Sequence, residues 1–119
     1  MNKYILDFLK DIMAIDSPSG YSKKVIHYCQ KEAEKLGFQT KKTHKGNLEI
    51  YVEGQDDYTI GFCGHVDTLG LMVRSIKSDG TLAFTNVGGP IIPTLDGEYC
   101  RIHTRSSKCY TGTILSNYP

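Results

Sequence analysis

The chain has 119 residues, enough for one ordinary domain or for parts of two. Its 14 basic and 13 acidic side chains give a formal net charge of +1, which argues against nucleic acid or an anionic membrane surface as a partner. No apolar run reaches the length of a membrane span, and the first residues do not follow the pattern of a secretory leader. The four cysteines form no CxxC pair, so we expect reduced thiols and a cytoplasmic location.

Two amphipathic helices are predicted in the first third of the chain. Over roughly residues 2–14, apolar residues recur at helical spacing: Ile5, Phe8, Leu9, Ile12 and Met13. Ser17-Pro18-Ser19-Gly20 interrupts this pattern, and a second apolar set then predicts another helix: Val25, Ile26, Cys29, Ala33 and Leu36. Ser19 and Ser22 are its candidate N-caps, and Gly37 is a natural residue to follow its last turn.

The period of the apolar residues changes to two after the second helix, which predicts β-strands. Residues 38–43 and 48–53 alternate on either side of a turn at Lys45-Gly46-Asn47. Residues 58–63 lack clean alternation, and such a run is typical of a central strand covered on both faces. Two helices followed by three strands predict an α/β layered domain.

From residue 71 onward the pattern predicts short antiparallel strands. Residues 71–76 and 81–87 flank Asp79-Gly80, a pair that signals a hairpin. After an irregular loop rich in glycine and proline, residues 98–104 and 109–115 form two more predicted strands. We therefore place a domain border at Gly70, with residues 1–70 in an α/β domain and residues 71–119 in an antiparallel β unit.

The motif that carries chemistry is Gly64-His65-Val66-Asp67, which directly follows the predicted central strand. Open α/β sheets bind ligands at this edge, and residues i and i+2 of an extended chain point the same way. A metal-bound histidine commonly has a carboxylate partner that fixes its tautomer, and Asp67 could serve His65 in this way. Gly64 would let a ligand or another backbone approach closely. The alternative is a satisfied polar pair at a strand end.

Four other titratable side chains are interpreted as surface or turn residues: His27, His44, His103 and Asp79. Asp96 and Glu98 could be functional, but we favour solvated loop positions for them. A cluster of lysines is interpreted as a solvated face: Lys23, Lys24, Lys41 and Lys42. Ser17-Pro18-Ser19-Gly20 has no base near it in the sequence, so we interpret it as the start of the second helix and not as a nucleophile.

Several segments together resemble the N-terminal part of the glutamyl-aminopeptidase or tetrahedral-aminopeptidase family of dinuclear metallopeptidases. They occur in the family's order and span nearly the whole chain: Ser17–Gly20, Gly64–Val73, Gly80–Gly89, Ile102–Arg105 and Tyr110–Leu115. The resemblance implies part of an α/β/α catalytic domain over residues 1–70 and part of an inserted, antiparallel PDZ-like dimerisation domain over residues 71–119. It also implies His65 as a metal ligand, Asp67 as the catalytic-site carboxylate that orients it, and a homo-oligomer.

The reaction that the resemblance implies is removal of the N-terminal residue of a peptide by two metal ions, zinc or cobalt, and a bridging water. The family's other ligands and its general-base glutamate lie far downstream of the matched segments. We therefore expect this chain alone to bind metal weakly or not at all and to be inactive. Pro90 stands where an aromatic residue is common in the family.

Two other functions are compatible with the sequence. One is a different reaction of the co-catalytic zinc hydrolases, such as that of a carboxypeptidase or an amide deacylase, which also carry a strand-end His-x-Asp. The segment Thr68–Val73 and the β unit favour the aminopeptidase branch. The other is a non-enzymatic β interaction module left by truncation, which predicts no turnover with any metal while residues 71–117 still fold and associate.

Overall fold

The structure is a computed structural model that describes residues 3–116, and these contain two helices and six strands. The helices are α1 (Lys3–Ala14) and α2 (Lys23–Lys35). The strands pair into three antiparallel hairpins: β1 (Gln39–Lys42) with β2 (Leu48–Tyr51), β3 (Gly70–Ile76) with β4 (Leu82–Val87), and β5 (Tyr99–His103) with β6 (Cys109–Thr113). This combination of helices and antiparallel strands confirms the predicted α/β class. Neither described helix is long and apolar enough to cross a bilayer.

The chain divides into two compact units, the first ending at Gly88 and the second beginning at Gly89. The first contains both helices and the hairpins β1–β2 and β3–β4. The second contains a short 3-10 helix, Ile92–Leu95, and the hairpin β5–β6. The contacts thus divide the chain after β4, whereas the predicted domain border follows Gly70 and stays a prediction.

Helix α2 provides the buried part of the first unit. Val25 and Ala33, 1% and 5% exposed, are the buried apolar residues of the described chain. The ring of Phe8 on α1 stacks on that of Tyr28, with the ring centroids 5.9 Å apart. The Tyr28 hydroxyl donates to Asp11 at 2.6 Å, so an aromatic contact and a hydrogen bond both fix α1 against α2.

The ends of α2 follow the sequence signals. Gly37 has a φ of 85°, its N–H donates to the Glu34 carbonyl at 3.0 Å, and the Phe38 N–H donates to the Ala33 carbonyl at 3.0 Å. These two bonds form the Schellman arrangement, which favours glycine because of its left-handed backbone. At the other end Ser22 is the N-cap, although its side chain makes no capping hydrogen bond.

The three hairpins have turns of the same type. In each hairpin, the N–H of the residue before the turn donates to the carbonyl of the fourth residue after it. The carbonyl of the same residue accepts the N–H of the third residue after it. The residues before the three turns are Thr43, Lys77 and Thr104. This is a three-residue loop with its last position in the left-handed region. Gly46 and Gly80 fill that position at φ 90° and 85°, whereas the third turn has Ser107 at φ 63°.

Residues 58–63 do not form the predicted central strand. The described part of the chain gives this segment no hydrogen-bonded neighbour, and its side chains are exposed, with Phe62 at 95%. A strand is stabilised by its ladder to a neighbour, so an apolar run without one stays outside any sheet. The prediction of a strand covered on both faces is therefore wrong for this structure.

Candidate active site

His65 and Asp67 contact one another in the segment that joins the unpaired residues 58–63 to β3. The His65 Nδ1 atom lies 3.1 Å from Asp67 Oδ1 and 3.0 Å from the Asp67 backbone oxygen. Both oxygens are acceptors, so in the neutral ring Nδ1 carries the proton and Nε2 keeps its lone pair. This is the tautomer in which a histidine can ligate a metal through Nε2.

The Ser17–Gly20 loop holds this pair from the other side. The Ser19 hydroxyl donates to Asp67 Oδ2. Ser17 is fully buried, and its hydroxyl donates to the Val66 carbonyl at 2.9 Å. The Ser17 carbonyl accepts the Thr68 N–H at 2.9 Å, and Pro18 and Thr68 form a short parallel bridge. The loop therefore bonds to the residues immediately before and after Asp67 as well as to its carboxylate.

The electrostatics of Asp67 follow from these contacts. The hydrogen bond from Ser19 is the largest influence that lowers the pKa of Asp67, and the hydrogen bond from the His65 ring lowers it further. The carboxylate is consequently ionised at neutral pH and can only accept hydrogen bonds. This agrees with placing the imidazole proton on Nδ1.

The imidazole is open to solvent and lies at two concave surfaces. The side chain of His65 is 84% exposed and that of Asp67 is 42% exposed. His65, Val66 and Asp67 contribute to a groove of about 730 Å³, which α2 and the β1–β2 turn also line. They contribute as well to a smaller groove of about 270 Å³ formed with apolar residues of α1.

The donor set does not form a complete metal centre within residues 3–116. No three His, Cys, Asp or Glu side chains come together there in a way that could hold an ion. His27, His44 and His103 are exposed, as predicted. A catalytic zinc normally takes three protein ligands, so these residues fit one ligand and its orienting carboxylate but do not fit a whole site.

Ser19 is a site residue that the sequence pattern does not reveal. The pattern predicts that Ser19 belongs to the start of α2, but Ser22 is the N-cap, and Ser19 contacts a carboxylate 48 residues further along the chain. A periodicity argument cannot reveal such a long-range contact. The available signal was that Ser17–Gly20 is one of the segments that resemble the family.

The order of the three polar groups excludes one familiar arrangement. In a nucleophilic triad the histidine lies between the serine and the carboxylate, because the imidazole takes the hydroxyl proton. Here the Asp67 carboxylate lies between Ser19 and His65. Ser19 therefore acts as a hydrogen-bond donor to the pair, and the sequence-based rejection of a serine nucleophile agrees with this geometry.

Comparison with known proteins identifies the family. The family model described as M42 glutamyl aminopeptidase matches residues 46–119, more than half of the chain. The chain belongs to the M42 glutamyl aminopeptidase family. The putative aminopeptidase YhfE of Bacillus subtilis (strain 168) is 40% identical over 111 residues, which cover 92% of this M42 chain and 32% of the relative. The glutamyl aminopeptidase of Lactococcus lactis subsp. cremoris (strain MG1363) is 27% identical over 106 residues, covering 87% and 30%.

Solved structures show the same likeness in three dimensions. A TET aminopeptidase from the marine sediment archaeon Thaumarchaeota archaeon SCGC AB-539-E09 superposes with a TM-score of 0.88 at 26% identity, covering 98% of this M42 chain and 32% of that protein. The TET1 peptidase of Pyrococcus horikoshii, which can assemble into a tetrahedron or a large octahedral shell, gives a TM-score of 0.79 at 28% identity, covering 97% and 34%. The M42 chain thus spans about a third of the length of these relatives.

Proposed function

We propose that this chain is the N-terminal part of a metal-dependent aminopeptidase in which His65 is a metal ligand and Asp67 orients it. The observation that carries this proposal is the position of His65 Nδ1, which faces two oxygens of Asp67 and so leaves Nε2 bare at the groove. Membership of the M42 family supplies the reaction class, hydrolysis of the N-terminal peptide bond.

The donor set indicates which metal ligands this chain would supply and which would come from the rest of an M42 protein. When bound, two divalent cations, zinc or cobalt, would supply the Lewis acidity that peptide hydrolysis needs. His65 would offer one lone pair, and the Asp67 carboxylate would hold the ring in the ligating tautomer. The other ligands would come from the two thirds of the relatives that this chain does not match. We therefore expect the 119-residue chain alone to have no tight metal site and no turnover.

The natural partners of such a protein would be peptides and further copies of itself. The shells formed by the Pyrococcus horikoshii relative support a homo-oligomer, with residues 71–119 as part of the dimerisation domain. The four cysteines without a CxxC pair favour a reducing, cytoplasmic location.

The test compares this chain with a chimera in which residues 1–116 are continued by the remaining part of the Bacillus subtilis relative. We expect the chimera, loaded with zinc or cobalt, to hydrolyse leucine- or glutamate-p-nitroanilide, whereas the chain alone is inactive. His65→Ala should abolish turnover and remove tight zinc binding measured by calorimetry. Asp67→Ala should reduce metal affinity or activity about 10–100-fold, the usual cost of losing the carboxylate partner of a metal-bound histidine.

His44→Ala is the matched control, because His44 is exposed and does not itself line the groove, although it directly precedes the groove residue Lys45. Full activity in His65→Ala, or a nanomolar zinc site in the chain alone, would contradict the proposal. Hydrolysis of an N-acyl amino acid in place of the anilides would indicate an amide deacylase of the wider zinc hydrolase group.

A second candidate function is supported by a different observation. Residues 58–63 form an exposed apolar segment without a ladder partner, and such segments pair readily with another chain. We propose that the 119-residue chain on its own associates through this segment without catalysing any reaction. A clean monomer in size-exclusion chromatography at high protein concentration would argue against this function.

A further inference from the structure

We propose that Ser19 is a positioning residue that sets the tautomer of His65 through the carboxylate of Asp67. The chain of contacts is continuous, since the Ser19 hydroxyl donates to one oxygen of the Asp67 carboxylate and the other oxygen lies 3.1 Å from His65 Nδ1. The importance of this tautomer for metal binding rests on the proposed function, but the tautomer itself does not.

The Asp67 carboxylate needs a restraint to keep its orientation. Its side chain is 42% exposed, and an exposed carboxylate rotates freely about its terminal torsion. Its side chain interacts with Ser19 at one oxygen, with the His65 ring at the other, and with its own backbone N–H. Among these, Ser19 is the contact from outside the His65–Asp67 pair, and it fixes the carboxylate relative to the rest of the chain.

Ser19 is itself held firmly enough to act as a restraint. The Tyr21 N–H donates to the Pro18 carbonyl at 2.7 Å, which closes a tight turn around Ser19 and Gly20. On the other side, the buried Ser17 makes two hydrogen bonds to the segment that carries Asp67. The loop therefore presents the Ser19 hydroxyl from a backbone whose position relative to Asp67 is already fixed.

The tautomer of the imidazole depends on the acceptor that lies at Nδ1. A free neutral imidazole favours the tautomer with the proton on Nε2, so the reverse tautomer needs an acceptor held at Nδ1. His65 has two such acceptors, the carboxylate and the backbone oxygen of Asp67. These two oxygens are the acceptors that the structure places at Nδ1, on a ring whose side chain is 84% exposed. Fixing the carboxylate through Ser19 thereby keeps Nε2 bare before any ligand arrives.

The experiment measures the tautomer directly, on the metal-free chain labelled with ¹⁵N. Long-range ¹H–¹⁵N correlation spectra of the histidine rings are recorded at about pH 8, where an ordinary imidazole is neutral. The resonances of His65 are assigned by their loss in His65→Asn. We expect wild type to show mainly the Nδ1–H tautomer and Ser19→Ala to shift His65 toward the Nε2–H tautomer. Ser19→Thr keeps a hydroxyl and should retain the wild-type pattern.

Ser22→Ala is the matched control, because Ser22 lies in the same connection between the helices and makes no side-chain capping bond. It should leave the His65 resonances unchanged, and the backbone amide spectrum of each variant shows that its fold is retained. A wild-type His65 in the Nε2–H tautomer, or a Ser19→Ala spectrum identical to wild type, would overturn the proposal. Neither readout depends on metal or substrate, so failure of the proposed aminopeptidase function would leave this test unaffected.

Discussion

Two apolar stretches flank the His65–Asp67 pair, and only the second of them forms a strand in the described residues. Residues 58–63 precede the pair and stay unpaired and exposed, whereas Gly70–Ile76 follows it and forms strand β3. Both stretches are rich in apolar residues, so composition does not distinguish them. The difference is that β3 is followed at once by a turn and by β4, its antiparallel partner. A local partner in the chain, and not apolar content, decides which stretch becomes a strand.

The site lies between these two stretches, and its contacts come from the Ser17–Gly20 loop, which also packs against the start of β3. The Ser17–Gly20 loop bonds to Val66, Asp67 and Thr68, and Pro18 also lies against Gly70 at the start of β3. The pair therefore has a defined geometry even though the chain before it lacks a neighbour.

The largest expected effect comes from Gly70→Ala, which disturbs the packing of Pro18 against the start of β3. A Cβ atom at this position would lie 2.5 Å from the Cβ of Pro18, so the loop or the strand must move. We expect a loss of about 1–3 kcal/mol in the free energy of unfolding, the usual cost of overpacking, measured by urea denaturation. The weakened loop should also disturb the amide resonances of Thr68.

Gly64→Ala provides the control for this substitution. A Cβ atom at Gly64 would meet no atom within 4 Å, although this glycine lies directly before His65. Its unfolding midpoint should match that of wild type. Equal stabilities of the two variants would mean that the contact between Pro18 and Gly70 does not restrain the loop.

A smaller effect is expected from Phe62→Ser, a substitution within the unpaired residues 58–63. Phe62 is 95% exposed, so its replacement should leave the monomer stable but weaken association between chains. Burying a phenylalanine contributes about 1.5–3 kcal/mol, so the association constant measured by sedimentation should fall about tenfold or more. Val52→Ser removes an exposed apolar side chain that lies outside residues 58–63 and outside the proposed dimerisation domain, and it should leave association unchanged. An equal loss in both variants would show that association does not depend on residues 58–63.

The smallest effect concerns the turn that gives β3 its partner. The N–H of Thr81 and then its hydroxyl, bonded to Asp79 at 2.9 and 2.7 Å, lower the pKa of the Asp79 carboxyl. A carboxyl with a lowered folded-state pKa stabilises the fold above its unfolded pKa of about 3.9, and this stabilisation is lost as pH falls through the folded value. The Thr81 amide resonance should therefore report loosening of the β3–β4 turn in acid.

Asp79→Asn tests this assignment, because its amide oxygen can still accept the Thr81 bonds but does not titrate. Its Thr81 resonance should stay constant over the same acid range. A variant that changes with pH as wild type does would assign the transition to another group.

Much of the fold follows from local sequence signals. The helix periodicity located α1 and α2, Gly37 marked the end of α2, and the Asp79-Gly80 pair marked the β3–β4 turn. The error at residues 58–63 has a physical cause, since periodicity describes burial but not the presence of a hydrogen-bonded neighbour. Helix ends and hairpins are decided within a few residues, whereas a central strand is decided by distant ones.

The same distinction applies to the site. The two-residue spacing of His65 and Asp67 was enough to predict that their side chains meet, and they do. The contact of Ser19 with Asp67 spans 48 residues and depends on how the loop before α2 lies beside the segment before β3. No rule based on sequence spacing predicts a contact over that separation. The sequence therefore predicts the contact of His65 with Asp67 but not the hydrogen bond from Ser19.

The turn at Ser107 has a consequence for how this chain would be degraded. A serine in the left-handed region costs about 1 kcal/mol, a cost that Gly46 and Gly80 avoid at the equivalent positions of the other two hairpins. The β5–β6 turn should therefore open more often than its counterparts. Because proteases cut where an exposed loop tip can open, the backbone around Ser107 is the natural first point of proteolytic nicking among the three hairpins.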